Sequence, residues 1–203
     1  MQTGQINRGT ILGDYIYNLV KERKDILTIV ESGTWNGLGT TRCILDGLRP
    51  EQKFWSIELY PDMYELALKN NQAYVNDERV KFMLGSLIKH DEIYWFDHSQ
   101  IDLKNDLHAS LWFHKDIDHL KKAKNVLDAM PSEIDLLILD GGEYSTYPEW
   151  VNLKNRTKVV VLDDSSIFKC SKIAHELSND NSYRCLIQRP HERNGFAIYE
   201  KNK

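Results

Sequence analysis

Short apolar runs recur along the chain, with room for one helix between most of them. Ile26 to Glu31, Phe54 to Leu59, Val80 to Leu84, Ile134 to Leu139 and Val159 to Leu162 are apolar and rich in β-branched residues, the pattern of strands buried on both faces. Leu38 to Leu48, Tyr64 to Tyr74, Ile117 to Met130 and Ile167 to Leu177 suit crossover helices. That order predicts an α/β domain with a doubly wound parallel sheet and helices on both faces. Tyr183 to Gln188 and Phe196 to Tyr199 alternate around the turn-forming stretch Arg189 to Gly195, and read as a closing antiparallel hairpin that brings the sheet to seven strands. At the start, Gly9 to Lys24 has helical spacing and is expected to cover the sheet.

One stretch does not fit a minimal sheet. His90 to His114 is long, polar and aromatic, and is expected to be an insertion, either a surface loop pinned by its aromatics or a lid over a binding site. The 203 residues otherwise suit a single domain spanning 1–203. A hydrophobic content of 41% and a charged content of 28% mark a globular chain. No apolar run approaches the ~20 residues of a membrane helix, and the first residues lack a secretory signal, so a soluble, cytoplasmic protein is expected. Cys43, Cys170 and Cys185 have no metal-binding or disulfide spacing and are expected to be reduced core thiols. A net charge of -4 gives no global attraction to nucleic acid.

Chemistry concentrates where the expected strands end. Glu31-Ser-Gly33-Thr34-Trp35-Asn36-Gly37-Leu38-Gly39-Thr40 sits where the first strand turns into a helix, and its glycines would let a ligand approach the backbone. The spacing departs from Gly-x-Gly-x-x-Gly, and a carboxylate at Glu31 would oppose a bound pyrophosphate. It would favour a cationic group, such as the ammonium of an aminoacyl moiety; a plain tight turn is the alternative. Glu58, with Leu59 beside it, ends the second run where an open α/β nucleotide site places the carboxylate that holds ribose hydroxyls. Gly85 and Ser86 end the third, beside the expected adenine edge.

Taken in order, Glu31-x-Gly33, Glu58, Gly85-Ser86, Ile134 to Asp140-Gly-Gly and Val159 to Asp163-Asp164 resemble the class I S-adenosylmethionine-dependent methyltransferases, with their Rossmann-like sheet. Asp140 followed by Tyr144-Ser145-Thr146, and then Asp163-Asp164, is similar to metal-dependent O-methyltransferases acting on sugars and small molecules. Gly142 stands where that subgroup has an acidic residue or histidine. The resemblance implies S-adenosylmethionine as cofactor, held by Glu31, Gly33, Thr34, Trp35, Gly37, Gly39, Thr40, Glu58, Leu59, Gly85, Ser86 and Asp140.

Neighbouring strand ends would bring Asp140, Asp163 and Asp164 together, where a hard divalent cation such as Mg²⁺ would relieve their repulsion and orient two hydroxyls. Alternatively, Asp163 or Asp164 caps the following helix. Asp140 and His191 are the candidates for accepting the hydroxyl proton, His191 being equally readable as a surface turn residue. Trp35 could cover the cofactor and Tyr147 or Trp150 a sugar face, although packing explains Trp150 as well. The expected reaction is methyl transfer to a hydroxyl of a sugar or glycan. A catechol-like or other small-metabolite acceptor, and a non-catalytic binding module, are the other readings. Nucleic-acid and membrane partners are not expected, and a homodimer is left open.

Overall fold

The structure, a computed structural model, describes residues 5–95 and 107–202. Its strands are β1 (Thr28–Ser32), β2 (Lys53–Glu58), β3 (Val80–Leu84), β4 (Ile134–Leu139), β5 (Thr157–Asp163), β6 (Tyr183–Arg189) and β7 (Phe196–Lys201). Its α-helices, among the described residues, are α1 (Ile11–Glu22), α2 (Thr40–Gly47), α3 (Pro61–Asn70), α4 (Leu107–Lys122), α5 (Thr146–Leu153) and α6 (Phe168–Asn179). The seven strands form one sheet in the order β3-β2-β1-β4-β5-β7-β6. The first five in chain order are mutually parallel, and β7 runs antiparallel between β5 and β6. The expected doubly wound sheet with a closing hairpin is the observed one.

β4 shows why apolar runs predicted strands so well. All six of its residues are buried, with Leu137 and Leu139 packing against Trp150 of α5 and Ile173 of α6. Leu136 and Ile138 point the other way, into a second core with Ile16 of α1 and Ile44 of α2. A strand covered on both faces needs no polar alternation. At the opposite end from the site, Asp135 Oδ2 accepts the N–H groups of Leu27 and Thr28 at 2.9 Å each, and Lys158 Nζ donates to Oδ1 at 2.7 Å. Burial pushes that carboxyl's pKa up, but the lysine and the two N–H donors outweigh it and hold it below the usual range.

Three expectations need correction. A helix, α5, lies in a stretch for which the apolar pattern predicts no helix of its own and whose aromatics read as ligand contacts or, at Trp150, packing; its Pro148 falls in the first turn, where a missing N–H costs little. α4 begins at Leu107 rather than Ile117, so the last part of the expected 90–114 insertion is helical, while residues 96–106 lie outside the described residues. Cys43 and Cys170 are buried, but Cys185 is exposed because β6 is an edge strand. Among the described residues, no helix is long and apolar enough to cross a membrane.

The two-sided core makes a stability prediction. Leu137→Ala should cost about 2–5 kcal/mol in urea unfolding. Leu111→Ala, at a position 62% exposed on α4, should stay within about 1 kcal/mol of wild type. Equal costs would contradict the packing described.

Candidate functional site

The strand order reverses between β1 and β4, and a crevice opens outside the carboxyl ends of the strands there, as expected at such a switch point. It is a cleft of about 740 Å³, lined by the turn after β1, the ends of β2, β4 and β5, and α4. Gly33, with φ +97°, is what lets the turn form: a Cβ there would stand 2.1 Å from the carbonyl oxygen of Asp140. The chain after β1 thus presses against the chain after β4, and Thr40 Oγ1 donates to Asp140 Oδ2 at 3.1 Å across the contact.

Glu58 is held at the cleft edge by backbone donors. Its Oε2 accepts the N–H of Trp35 at 2.6 Å and its Oε1 that of Tyr60 at 2.8 Å. The first bond helps hold Trp35 at φ +51°, a conformation uncommon for a residue with a side chain, and leaves its ring 41% exposed at the mouth. Burial pushes the Glu58 carboxyl up to about 7 despite these donors. A carboxylate has about four lone-pair sites, so acceptor capacity remains for a ligand hydroxyl.

Glu31 is placed differently from expectation. It is fully buried beneath the turn and does not line the cleft. Its Oε2 accepts the hydroxyls of Thr41 at 2.7 Å and Ser56 at 2.6 Å, while Oε1 has no hydrogen-bond partner, and burial pushes its pKa up to about 8. Gly37 also lies outside the lining: a Cβ on it would meet the Asn71 side chain at 2.3 Å, so it serves the packing of the turn against α3. Ser86 lines the cleft, but its N–H donates to the Lys124 carbonyl at 2.9 Å and is already committed. Gly33, Thr34, Trp35, Gly39, Thr40, Leu59 and Gly85 all border the cleft.

Asp140, Asp163 and Asp164 do converge, each offering a carboxylate oxygen within 4.8 Å of the others. The sequence reading missed what stands among them. Lys169, from the first turn of α6 and 6% exposed, donates through Nζ to Asp140 Oδ1 at 2.7 Å and to Asp164 Oδ2 at 3.0 Å. Arg193 reaches Asp163 at 3.2 Å. Burial alone would favour a neutral Lys169, but the three carboxylates overcome it and hold the ammonium well above the usual lysine range. Burial and the charge of Asp140 push Asp163 up; Asp164, opposed by burial, is held low by Lys169 and Asn194. The oxygen donors have the chemistry of a hard-cation site. As arranged, they do not fit one, because two of them already accept from an ammonium.

His191 is exposed on the β6–β7 turn and outside the cleft lining, whereas Arg193 and Asn194 of the same turn border it. Among the described lining residues there is no histidine. Trp150 is 2% exposed in the core and Tyr147 is engaged by Glu176, Lys172 and Trp95, so neither faces the cleft. Asp116 of α4 was also missed. It is 1% exposed, lines the cleft and accepts the Tyr60 hydroxyl, while its Oδ2 has no hydrogen-bond partner. A helical-wheel signal could have found it, since Asp116 shares a stripe with Phe113, Ile117 and Leu120.

Solved structures share this architecture. The Podospora anserina methyltransferase PaMTH1, bound to S-adenosylhomocysteine, matches over 95% of this chain and 78% of its own, with TM-score 0.61 and 12% identity. TomG from Streptomyces achromogenes, an O-methyltransferase of tomaymycin synthesis in complex with S-adenosylmethionine, matches over 95% and 80%, with TM-score 0.62 and 14% identity. A Bacillus cereus O-methyltransferase bound to S-adenosylhomocysteine matches over 94% and 80%, with TM-score 0.62 and 12% identity. The fold is that of the class I methyltransferases. No family model matches the chain, and no curated protein matches it either. In this class I methyltransferase fold the cleft lies at the carboxyl ends of the central strands, and here seven carboxyl groups line it against one lysine and one arginine.

The raised carboxyls set a pH dependence. Glu31 and Glu58 have folded pKa values of about 8 and about 7 against the ordinary 4.5. Their contribution to stability is full below the unfolded value and is lost as pH rises through the folded ones. The unfolding temperature of the ligand-free protein should therefore fall from about pH 5.5 to about pH 8.5, and Glu31→Gln should flatten the upper part of that fall. A rise over this window, measured by calorimetry, would contradict the burial described.

Proposed function

We propose that this protein is an S-adenosylmethionine-dependent O-methyltransferase acting on a hydroxyl of a neutral sugar or glycan. The observation that carries the reading is the arrangement of Glu58 at one end of a switch-point cleft and three aspartates at the other, in a fold whose similar solved structures include O-methyltransferases with this cofactor or S-adenosylhomocysteine bound. The lining fits the cofactor: Glu58 has acceptor capacity left for a ribose hydroxyl, and the excess of carboxyl groups suits a ligand carrying a sulfonium and an ammonium. When bound, S-adenosylmethionine supplies an electrophilic methyl group.

The chain's own residues orient the acceptor and take its proton. Transfer of the methyl group to the hydroxyl oxygen would release the hydroxyl proton, and the triad is placed to accept it. Asp140 is its first recipient, with a side chain 22% exposed against 6% for Asp163 and 15% for Asp164. When all three aspartates are ionised, Lys169 and Arg193 leave one negative charge, which one proton neutralises.

The acceptor class follows from charge and surface. A cleft with seven carboxyl groups and only Lys169 and Arg193 as cations offers phosphorylated or acyl-CoA substrates few partners, while its oxygens accept well from polyols. Trp35 and Trp112 offer aromatic surface beside it. Ala109 and Trp112 of α4 contribute to the lining, and we assign them to the acceptor side.

Titration calorimetry with S-adenosylhomocysteine should show binding to the wild type, weakened about tenfold or more in Glu58→Ala. Asp140→Asn should keep S-adenosylhomocysteine binding and, in methyl-transfer assays, lose about 10²-fold or more in kcat. Neutral glycosides should be methylated and sugar phosphates should not. A wild type that binds no S-adenosylhomocysteine sinks the proposal.

A further inference from the structure

The position of Lys169 bears on how the aspartates work. Resting on the methyltransferase reading above, we infer that Lys169 is the resident cation of the Asp140–Asp163–Asp164 cluster and takes the place of a divalent metal, so that methyl transfer runs without one.

Lys169 falls on the inward side of α6, four residues before Ile173 and next to Cys170, both fully buried. A lysine there would ordinarily be replaced by an apolar residue, because burying an unpaired ammonium costs several kcal/mol. Its Nζ instead ends between two carboxylates, at 2.7 Å and 3.0 Å. The first is the length of a charge-assisted hydrogen bond and the second that of an ordinary one.

The neighbours reinforce this arrangement. Asp164 also accepts from Asn194 at 3.0 Å, and Asp140 also accepts from Thr40 at 3.1 Å. Asp163, the third corner, is met by Arg193. Each of the three aspartates is therefore partnered by the chain itself.

Charge arithmetic decides between an ammonium and a metal. With all three aspartates ionised, Lys169 and Arg193 leave the cluster one net negative charge, which suits a group that must accept one proton. Adding a divalent ion would leave it net positive and would force two like charges together within a few ångströms, so a metal could enter only by expelling Lys169. Expulsion would strand a charged side chain that is 7% exposed. An ammonium has three N–H donors, and two are used on Asp140 and Asp164. The third is available to an acceptor oxygen, which it would stabilise as negative charge develops. Lys169 thus supplies by hydrogen bonding what a metal would supply as a Lewis acid.

The test is a Mn²⁺ titration of the full chain followed by electron paramagnetic resonance of the free ion, with S-adenosylhomocysteine present and its binding measured on the same samples. Wild type should show no site tighter than millimolar, and Lys169→Met, which keeps the straight chain and removes the charge, should gain one at least about tenfold tighter. Adding Asp164→Asn to Lys169→Met should abolish the gained site. Micromolar binding to the wild type overturns the inference, and so does absence of binding to both proteins or persistence of the gained site without Asp164. Should Lys169→Met not fold, Lys169→Gln replaces it, and the wild-type arm stands alone as a test. Failure of the methyltransferase reading is distinguished by loss of S-adenosylhomocysteine binding in the wild type, whatever Mn²⁺ does.

Discussion

Three carboxylates meet where β4 and β5 end, partly buried in the wall of the cleft. Together they would repel one another and resist ionisation, so the surrounding chain is committed to supplying cations there. Lys169 can do so only if α6 begins where it does, immediately beyond the turn that follows Asp164. That turn is tied down from the other side. Asp164 adopts φ +55°, and the N–H groups of Ser165 and Ser166 donate to the carbonyls of Gly195 and Asn194 in the β6–β7 turn. Arg193 and Asn194, which complete the cluster, come from that same turn. The position of a helix and the antiparallel insertion of β7 beside β5 therefore both serve one charge balance.

The other half of the cleft depends on close backbone approach rather than on charge. Gly33 brings the chain after β1 against the chain after β4, so that a turn presenting Trp35 and Thr40 lies beside Asp140. Glu58 then bridges to β2 by accepting the Trp35 N–H. Tyr60, two residues on, continues the wall through its hydroxyl to Asp116 of α4. A continuous set of hydrogen bonds thus joins the ends of β1, β2 and β4 with α4 around a single space, and none of these contacts requires more than one residue to be glycine.

The sheet was legible because its strands are buried on both faces and so appear as uninterrupted apolar runs, with β4 the clearest. The strand-end acids were legible too, since topology alone puts the ends of β4 and β5 side by side. What escaped the sequence were residues whose role depends on a helix's exact phase. Lys169 and Asp116 are charged residues on the inward faces of α6 and α4, among Ile173 and Cys170 in one case and Phe113 and Ile117 in the other. A short apolar run hides the phase of a charged neighbour, and the aromatic, histidine-rich start of α4 masked where that helix begins. α5 was obscured by Pro148 and by aromatic residues that read equally as ligand contacts. His191 illustrates the converse: a chemically suitable residue near the motifs in sequence, carried to the outside by the hairpin turn.

Under the proposed reaction, the cleft's excess of carboxyls also separates substrate from product. The sulfonium of S-adenosylmethionine is drawn by Asp140, Glu143 and their neighbours, and the electrostatic gain is larger in a partly desolvated cleft than in water. Methyl transfer removes that charge, so S-adenosylhomocysteine loses part of the attraction while keeping its ribose contacts. The proton left on the triad lowers the negative potential further at the same moment. Both changes weaken the hold on the product and favour exchange for a fresh, charged cofactor, and neither requires a moving part. A metal of fixed charge at the triad would oppose the sulfonium in every state. An ammonium paired to carboxylates leaves the net charge negative until the reaction itself neutralises it.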